Sequence, residues 1–238
     1  MHTYNKNTPI VVLTGAGISA ESGLATFRDN DGLWENHRME DVATPEAYAR
    51  DPEMVHRFYN HRRQQLTEVQ PNSAHVCLAK YMNNLPNSWL ITQNVDDLHQ
   101  RAGSERLLHM HGSLTLQRCT ACDQVGAVAA DLRTDSLCET CQSVGSVRPH
   151  IVWFGEMPLY MEQIYQLLEQ CELFLSIGTS GAVYPAAGFA QIAAAAGAHT
   201  VELNLVPSDV SFAFAESHYG KATEIVPAYF KKLVAFTD

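Results

Sequence analysis

Cys119, Cys122, Cys138 and Cys141 stand in a C-x2-C-x15-C-x2-C arrangement. Two close pairs at this separation place four thiolates at the corners of a tetrahedron, the donor set and geometry that suit zinc. Sulfur at every corner leaves no coordination position for water, so the expectation is one structural Zn2+ rather than a catalytic one. The surrounding stretch is short and polar, and a metal supplies stability that it cannot draw from a core of its own. A thioredoxin-like redox pair fits less well, because neither C-x-x-C opens a helix after a strand. A zinc ribbon for nucleic acid stays open, although the flanking residues are not notably basic.

A second set of chemically capable residues sits where apolar runs end. Ile10-Val11-Val12-Leu13 runs into Gly15-Ala16-Gly17, and Ala20 completes a G-x-G-x-x-A spacing. A β-branched strand, a glycine turn and a helix start cradle a diphosphate, because glycine admits close approach and free N–H groups face the anion. The same residues also suit an ordinary tight strand–helix connection. Trp89-Leu90-Ile91-Thr92 leads into Gln93-Asn94-Val95-Asp96, and Leu107 to Met110 into His111-Gly112-Ser113. Leu173 to Ile177 leads into Gly178-Thr179-Ser180, and Thr200 to Leu203 into Asn204-Leu205. Singly, a histidine here reads as a structural residue and Gln-Asn-x-Asp as a turn. If these strands are parallel, their carboxyl ends converge on one crevice.

The elements that must carry these residues alternate. Apolar strand-like runs alternate with helical patterns, including Met161 to Cys171, Pro185 to Ala198 and Ala228 to Val234. Ser19, Glu21 and Ser22 suit the first turn of a helix, and Ile151 to Gly155 reads as another strand. The alternation predicts an α/β protein, a parallel sheet with helices on both faces. Two stretches interrupt it. Pro45 to Val69 is helical with a break at Asp51-Pro52, followed by a helix from Pro71 to Leu85, and residues 119–141 hold the cysteines. Both read as insertions into the sheet, one helical and one built around the cysteines.

Arg62 is an anomaly within that insertion. Val55, Phe58, Tyr59, Leu66 and Val69 form the apolar stripe of its helix, and Arg62 lies on the same stripe with no acidic residue three or four positions away. A distant carboxylate, a snorkelling side chain or a binding role would each account for it.

The 238 residues are 46% hydrophobic and 18% charged, which predicts a packed core rather than disorder. A net charge of −10 argues against nucleic acid as a partner and favours basic segments such as lysine-rich protein. The polar start, Met1 to Pro9, has no signal-peptide core, and no run of 18 apolar residues spans a membrane. With no disulfide framework in view, a reducing, cytoplasmic setting is expected.

The runs GAGISAESGLATFRDNDGLW, TQNVDDLHQRAG, HMHGSL, the paired C-x-x-C, IVWFGE and GTS together resemble the sirtuins, the NAD-dependent protein lysine deacylases. The resemblance extends from about Ile10 to near the C-terminus and looks closest to the bacterial class III type. It implies a Rossmann-like domain drawn from residues 1–34, 81–114 and 150–238, with a small domain made of a helical insertion, 35–80, and a zinc module, 115–149. By that resemblance, Gly15, Ala16, Gly17, Ala20, Thr26, Phe27, Arg28 and Trp34 line the NAD pocket. Gln93, Asn94 and Asp96 match the nicotinamide and ribose residues, and His111 the general base. Gly178, Thr179, Ser180, Asn204, Leu205 and Ala222 match contacts on the adenosine side. Val152, Phe154 and Gly155 match the segment that pairs with substrate beside the acyl-lysine channel.

The chemistry implied is attack by the acyl-lysine carbonyl oxygen on C1′ of the nicotinamide ribose, with release of nicotinamide. NAD is then a consumed co-substrate, and the products are lysine, nicotinamide and O-acyl-ADP-ribose. Catalysis falls to Asn94, Asp96 and His111. Tyr59 and Arg62 match a Y-x-x-R pattern that binds the carboxylate of succinyl- or malonyl-lysine, and a small residue, Ala43, leaves room for it. The expected partners are acyl-lysine proteins or peptides, with the enzyme monomeric and Thr26 to Trp34 folding over NAD as a lid. A protein mono-ADP-ribosyltransferase, a dehydrogenase and a non-catalytic reader are the rival readings.

Overall fold

β1 (Ile10–Thr14) is the strand about which the chain is wound. The structure, a computed structural model, describes residues 4–25, 33–34 and 37–234. After β1 come two 3-10 turns, Ala16–Ile18 and Ala20–Ser22. A short antiparallel pair, β2 (Leu33–Trp34) and β3 (His37–Arg38), precedes three helices: α1 (Met39–Val42), α2 (Pro45–Arg50) and α3 (Pro52–Leu66). α4 (Ser73–Asn83) returns the chain to β4 (Ser88–Thr92), α5 (Leu98–Arg101) and β5 (Leu107–His109). β6 (Gly112–Cys119), β7 (Val125–Ala127) and β8 (Val147–Ile151) follow, then α6 (Met161–Gln170) and β9 (Leu173–Ile177). α7 (Phe189–Ala195), β10 (His199–Asn204), β11 (Glu216–Tyr219) and α8 (Ala222–Val234) complete the described chain.

Six strands form one parallel sheet in the order β11-β10-β9-β1-β4-β5. This is the doubly wound order, in which winding reverses between β1 and β9. β1 is buried along its whole length, and its side chains alternate between two cores. Ile10 and Val12 pack with Leu78 and Met82 of α4 and Val226 and Phe230 of α8. Val11 and Leu13 pack with Ile164 and Leu168 of α6 and Phe189 and Ala193 of α7. Each fully buried aliphatic side chain of this kind stabilises the fold by about 2 kcal/mol, so the central strands are fixed and the site at their ends inherits that rigidity.

The two interruptions build separate clusters. α1 to α3 bury Val42, Ala47, Val55, Phe58, Tyr59 and Leu66 against Leu98, Leu114, Ile151 and Trp153. The break at Asp51-Pro52 is a cap: the Asp51 carboxylate accepts the Met54 N–H, and Pro52 takes the first helical position, where no N–H is needed. β7, β6 and β8 form an antiparallel sheet in that order, and Cys119, Leu132, Cys138 and Val147 make its small core. Among the described residues no helix is long and apolar enough to cross a membrane.

Three expectations need correction. No α-helix opens at Ser19; the chain makes two 3-10 turns and ends at Gly23 in the left-handed conformation. The apolar run Ile151 to Gly155 is not a strand of the parallel sheet. Its strand is Val147–Ile151, paired with β6, and residues 152–155 turn away because Glu156 accepts the Trp153 N–H. The Pro185 to Ala198 segment is a 3-10 turn, Ala186–Gly188, followed by the seven-residue α7. β11 carried no visible pattern, since its ESHY sequence is polar and half-exposed.

Candidate active site

The winding reversal leaves a gap beside the carboxyl ends of β1 and β9, and glycines close its base. Gly15 donates its N–H to the Ile177 carbonyl (3.0 Å), and Gly17 donates to the Gly178 carbonyl (2.9 Å). A Cβ on Gly17 would lie 2.8 Å from the Gly178 Cα, and one on Gly178 would lie 2.5 Å from the Ile18 nitrogen. Gly178 also has φ +64°, in the left-handed region. Backbone rather than side chain therefore lines this wall, as a diphosphate requires. Above it opens a cavity of about 840 Å³, the size class of small-molecule and cofactor sites.

Every strand end singled out in the sequence reaches this cavity, through Gly15 to Gly17, Gln93 to Asp96, His111, Gly178 to Ser180, and Asn204-Leu205. Ser19 is the hub of its floor. Its hydroxyl donates to Asp96 Oδ2 (2.9 Å) and accepts from Asn94 Nδ2 (3.2 Å). His75 accepts the Asn72 N–H at Nδ1 (3.3 Å), so its Nε2–H is the donor toward Ser19 Oγ at 3.4 Å. Asp96 also accepts the Leu98 N–H at Oδ1 (3.1 Å). Burial nonetheless raises its pKa, with the Leu98 and Ser19 hydrogen bonds pulling the other way.

Behind the hub, Thr14 donates to Thr92 (2.9 Å), which makes His99 Nε2 the donor to Thr14 Oγ1 (3.0 Å). The His99 and His75 rings lie 4.8 Å apart. Burial lowers the pKa of both, that of His75 to about 4. These rings are neutral spacers, locked in defined tautomers.

His111 differs from them because it borders the cavity. Its Nδ1 lies 3.1 Å from the Gln93 carbonyl, which can only accept, so Nδ1 carries the proton and Nε2 is the basic nitrogen. Burial lowers its pKa, partly offset by this hydrogen bond.

Asn204 Nδ2 donates to the Thr179 carbonyl (2.7 Å) and fixes the loop that carries Ser180. Ala43, Tyr59 and Arg62 line the same cavity, with the segment Val152 to Gly155. Val152 donates its N–H to the His111 carbonyl (2.9 Å), and Phe154 donates to the Ala43 carbonyl (2.9 Å). One segment thus ties the histidine to the helical insertion. Arg62 is 7% exposed, so its charge sits inside the protein at the cavity wall rather than in water.

The four cysteine sulfurs lie within 4.8 Å of one another, with Cys119–Cys141 at 3.7 Å and Cys122–Cys138 at 3.8 Å. A tetrahedral ion with metal–sulfur bonds of about 2.3 Å has sulfur–sulfur edges of about 3.8 Å. All four thiols are free of disulfides, and the donor set fits a thiophilic, tetrahedral ion.

Of the residues singled out as cofactor or substrate contacts, all that are described border the cavity, Ala16, Ala20 and Ala222 included. Thr26, Phe27, Arg28 and the side chain of Trp34, and with them the lid, lie outside the described residues. Sequence reasoning missed Ser19 as more than a helix start, and it missed Trp153 and Lys221. A serine between a glycine turn and a buried histidine carries no periodic signal, whereas Lys221, a cation beside Ala222 at the cavity edge, follows a visible Gly220.

A doubly wound sheet with a glycine-based crevice at its switch point, joined to a small lobe with a four-thiol cluster, defines a nucleotide-binding α/β protein. A profile of the Sir2 family matches residues 15–185. An NAD-dependent protein deacylase of Yersinia pseudotuberculosis is 58% identical over 228 residues, covering 94% of this chain and 82% of that protein. The crystal structure of a Sir2 homolog–NAD complex superposes with a TM-score of 0.85 at 36% identity, covering 99% of both chains. A Sir2 complex with p53 peptide and NAD+ superposes at 0.80 with 29% identity, covering 94% and 92%. This chain belongs to the Sir2 family.

Proposed function

We propose that this chain removes acyl groups from protein lysines with consumption of NAD. The observation that carries the reading is His111: a cavity-facing imidazole whose Nδ1 proton is pinned to Gln93, which leaves Nε2 basic. The relatives named above support NAD as the co-substrate and protein as the acyl donor.

The residues divide the work. Gly15, Ala16, Gly17 and the Gly178 to Ser180 loop take the diphosphate and adenosine end. Asn94 and Asp96, held through Ser19, position the ribose and nicotinamide. The acyl-lysine carbonyl oxygen then bonds to C1′ as the C1′–nicotinamide bond breaks with its electron pair. Alignment of the two reactants in one crevice is the main gain, since an amide oxygen is a poor nucleophile in free solution. His111 Nε2 takes a proton as the ribose 2′-hydroxyl attacks the former carbonyl carbon. Water completes release of lysine and leaves the acyl group on ADP-ribose.

The acyl groups we assign are acetyl and the carboxylate-bearing succinyl and malonyl. Tyr59 and Arg62 border the same cavity as His111, and a guanidinium fork matches a carboxylate in shape and charge. Ala43 contributes only a methyl group to that wall, which leaves space for the longer acyl chain. The four-thiol cluster takes one Zn2+ with a structural role, holding β6 to β8 and through β8 the segment beside His111.

Matched acetyl-, succinyl- and butyryl-lysine peptides incubated with NAD, followed by mass spectrometry, test this reading. Free lysine peptide and O-acyl-ADP-ribose are expected for acetyl and succinyl substrates. ADP-ribose left on protein would favour the transferase alternative.

A further inference from the structure

We infer that Trp153 is a specificity-determining positioning residue, acting through Tyr59 to select carboxylate-bearing acyl groups; this rests on the acyl pocket proposed above. The indole Nε1–H donates to the Tyr59 hydroxyl oxygen at 2.9 Å. Both side chains are buried, Trp153 at 2% and Tyr59 at 1% exposure, and both border the cavity that Arg62 borders.

A phenol has one proton and two acceptor lone pairs. With one lone pair taken by the indole, the O–H is restricted to the remaining directions around the oxygen. Burial raises the Tyr59 pKa above the usual phenol range, with the Trp153 hydrogen bond and the nearby Arg148 and Arg62 charges pulling it down. The group therefore acts as a neutral donor, and a donor beside a guanidinium discriminates an anionic acyl terminus from a methyl group.

The indole is held on three sides. The Arg148 guanidinium carbon lies 3.6 Å from the centre of its ring system. Arg148 is itself fixed by a bidentate pair with Glu156 at 2.7 and 2.9 Å, and Glu156 also accepts the Trp153 backbone N–H at 2.9 Å. Tyr48 packs against the ring with centroids 5.2 Å apart. An indole this constrained fixes the position of its N–H, and the N–H fixes the phenol. Phenylalanine would lose the donor and also leave a cavity where the second ring packs.

The test compares wild type, Trp153→Phe and a chain with 3-benzothienylalanine at position 153, which replaces the indole N–H by sulfur at nearly constant shape. Each is assayed on acetyl- and succinyl-lysine peptides of one sequence. Loss of one buried hydrogen bond corresponds to roughly a 3- to 10-fold effect. Both changes should lower kcat/KM for the succinyl peptide by that factor and move the acetyl value less than about 2-fold. Tyr59→Phe made in the benzothienyl background should then add little, because the two groups act in series. Equal losses on both peptides, or an unchanged ratio, overturn the inference while leaving the pocket assignment intact. A wild-type enzyme inactive on the succinyl peptide but active on the acetyl one overturns both. The sulfur isostere keeps the result decisive should Trp153→Phe fail to fold.

Discussion

His111 Nδ1 and the Gln93 carbonyl oxygen lie 3.1 Å apart, and this contact joins the carboxyl ends of two neighbouring regions of the sheet. Gln93 follows β4 and donates its own N–H to the Thr14 carbonyl of β1. His111 follows β5 and passes its carbonyl to Val152. The tautomer of the proposed base is thereby set by backbone that the central strands fix, and the same backbone continues through Val152 and Phe154 to Ala43 at the cavity wall.

Replacing His111 by Ala should leave NAD binding near normal and slow deacylation at least ~100-fold, the scale of a lost general base. Titration calorimetry with NAD and single-turnover kinetics separate the two effects. Near-normal turnover would remove His111 from the role.

The pH dependence follows from the direction of its shift. Burial lowers the His111 pKa, so the neutral imidazole persists to more acidic pH than in a free histidine. The acid limb of kcat/KM against pH should therefore fall with an apparent pKa below about 6.5. A limb centred above that value would contradict the assigned base.

Arg62→Met should reduce kcat/KM for succinyl-lysine peptide by at least ~10-fold and leave the acetyl value within a few-fold, since charge-assisted hydrogen bonds contribute about 1.5–3 kcal/mol. Matched-peptide kinetics read the ratio. Equal loss on both would sink the carboxylate pocket.

Stability should depend on His75. Its folded pKa is depressed to about 4, whereas the unfolded side chain titrates near 6.5. The unfolded state binds the extra proton, so this contribution is complete above about 6.5 and is lost as pH falls through the window toward 4. Between pH 7 and 4.5 the wild type should lose roughly 2–3 kcal/mol more than His75→Gln. Urea midpoints at the two pH values measure it, and parallel losses would contradict it.

Metal removal should act locally first. A chelated protein should exchange amide hydrogens rapidly in β6 to β8 while β1 stays protected, and elemental analysis should find one zinc per chain before chelation. Unchanged exchange across residues 112–151 would argue against a structural ion. In the same way Gly178→Ala should destabilise by roughly 1–3 kcal/mol through its backbone conformation alone, and it should abolish NAD binding, because its Cβ would meet Ile18.

Five of the six strands of the parallel sheet, the cysteine geometry and the convergence of the polar strand ends were legible because each rests on spacing. β-Branched runs mark buried strands, and two C-x-x-C pairs fix a tetrahedron. Arg62 was visible as a charge on an apolar stripe, though its place at the cavity wall was not. The helix expected at Ser19 failed because Ser19 is spent on Asp96, Asn94 and His75, and the backbone tightens into 3-10 turns around that hub. The run Ile151 to Gly155 misled because its apolar residues serve a different core, with Trp153 facing Tyr59 and Phe154 half-exposed. Periodicity reports burial, and it does not report which layer provides it.

In the proposed reaction NAD is cleaved only as acyl-lysine attacks it. Nicotinamide release, measured with and without an acetyl-lysine peptide, reads this coupling. Nicotinamide and deacylated peptide should form in equal amounts, with none released without acyl peptide and no absorbance of reduced nicotinamide. Release that ignores the peptide, or reduction of NAD in its place, would contradict it.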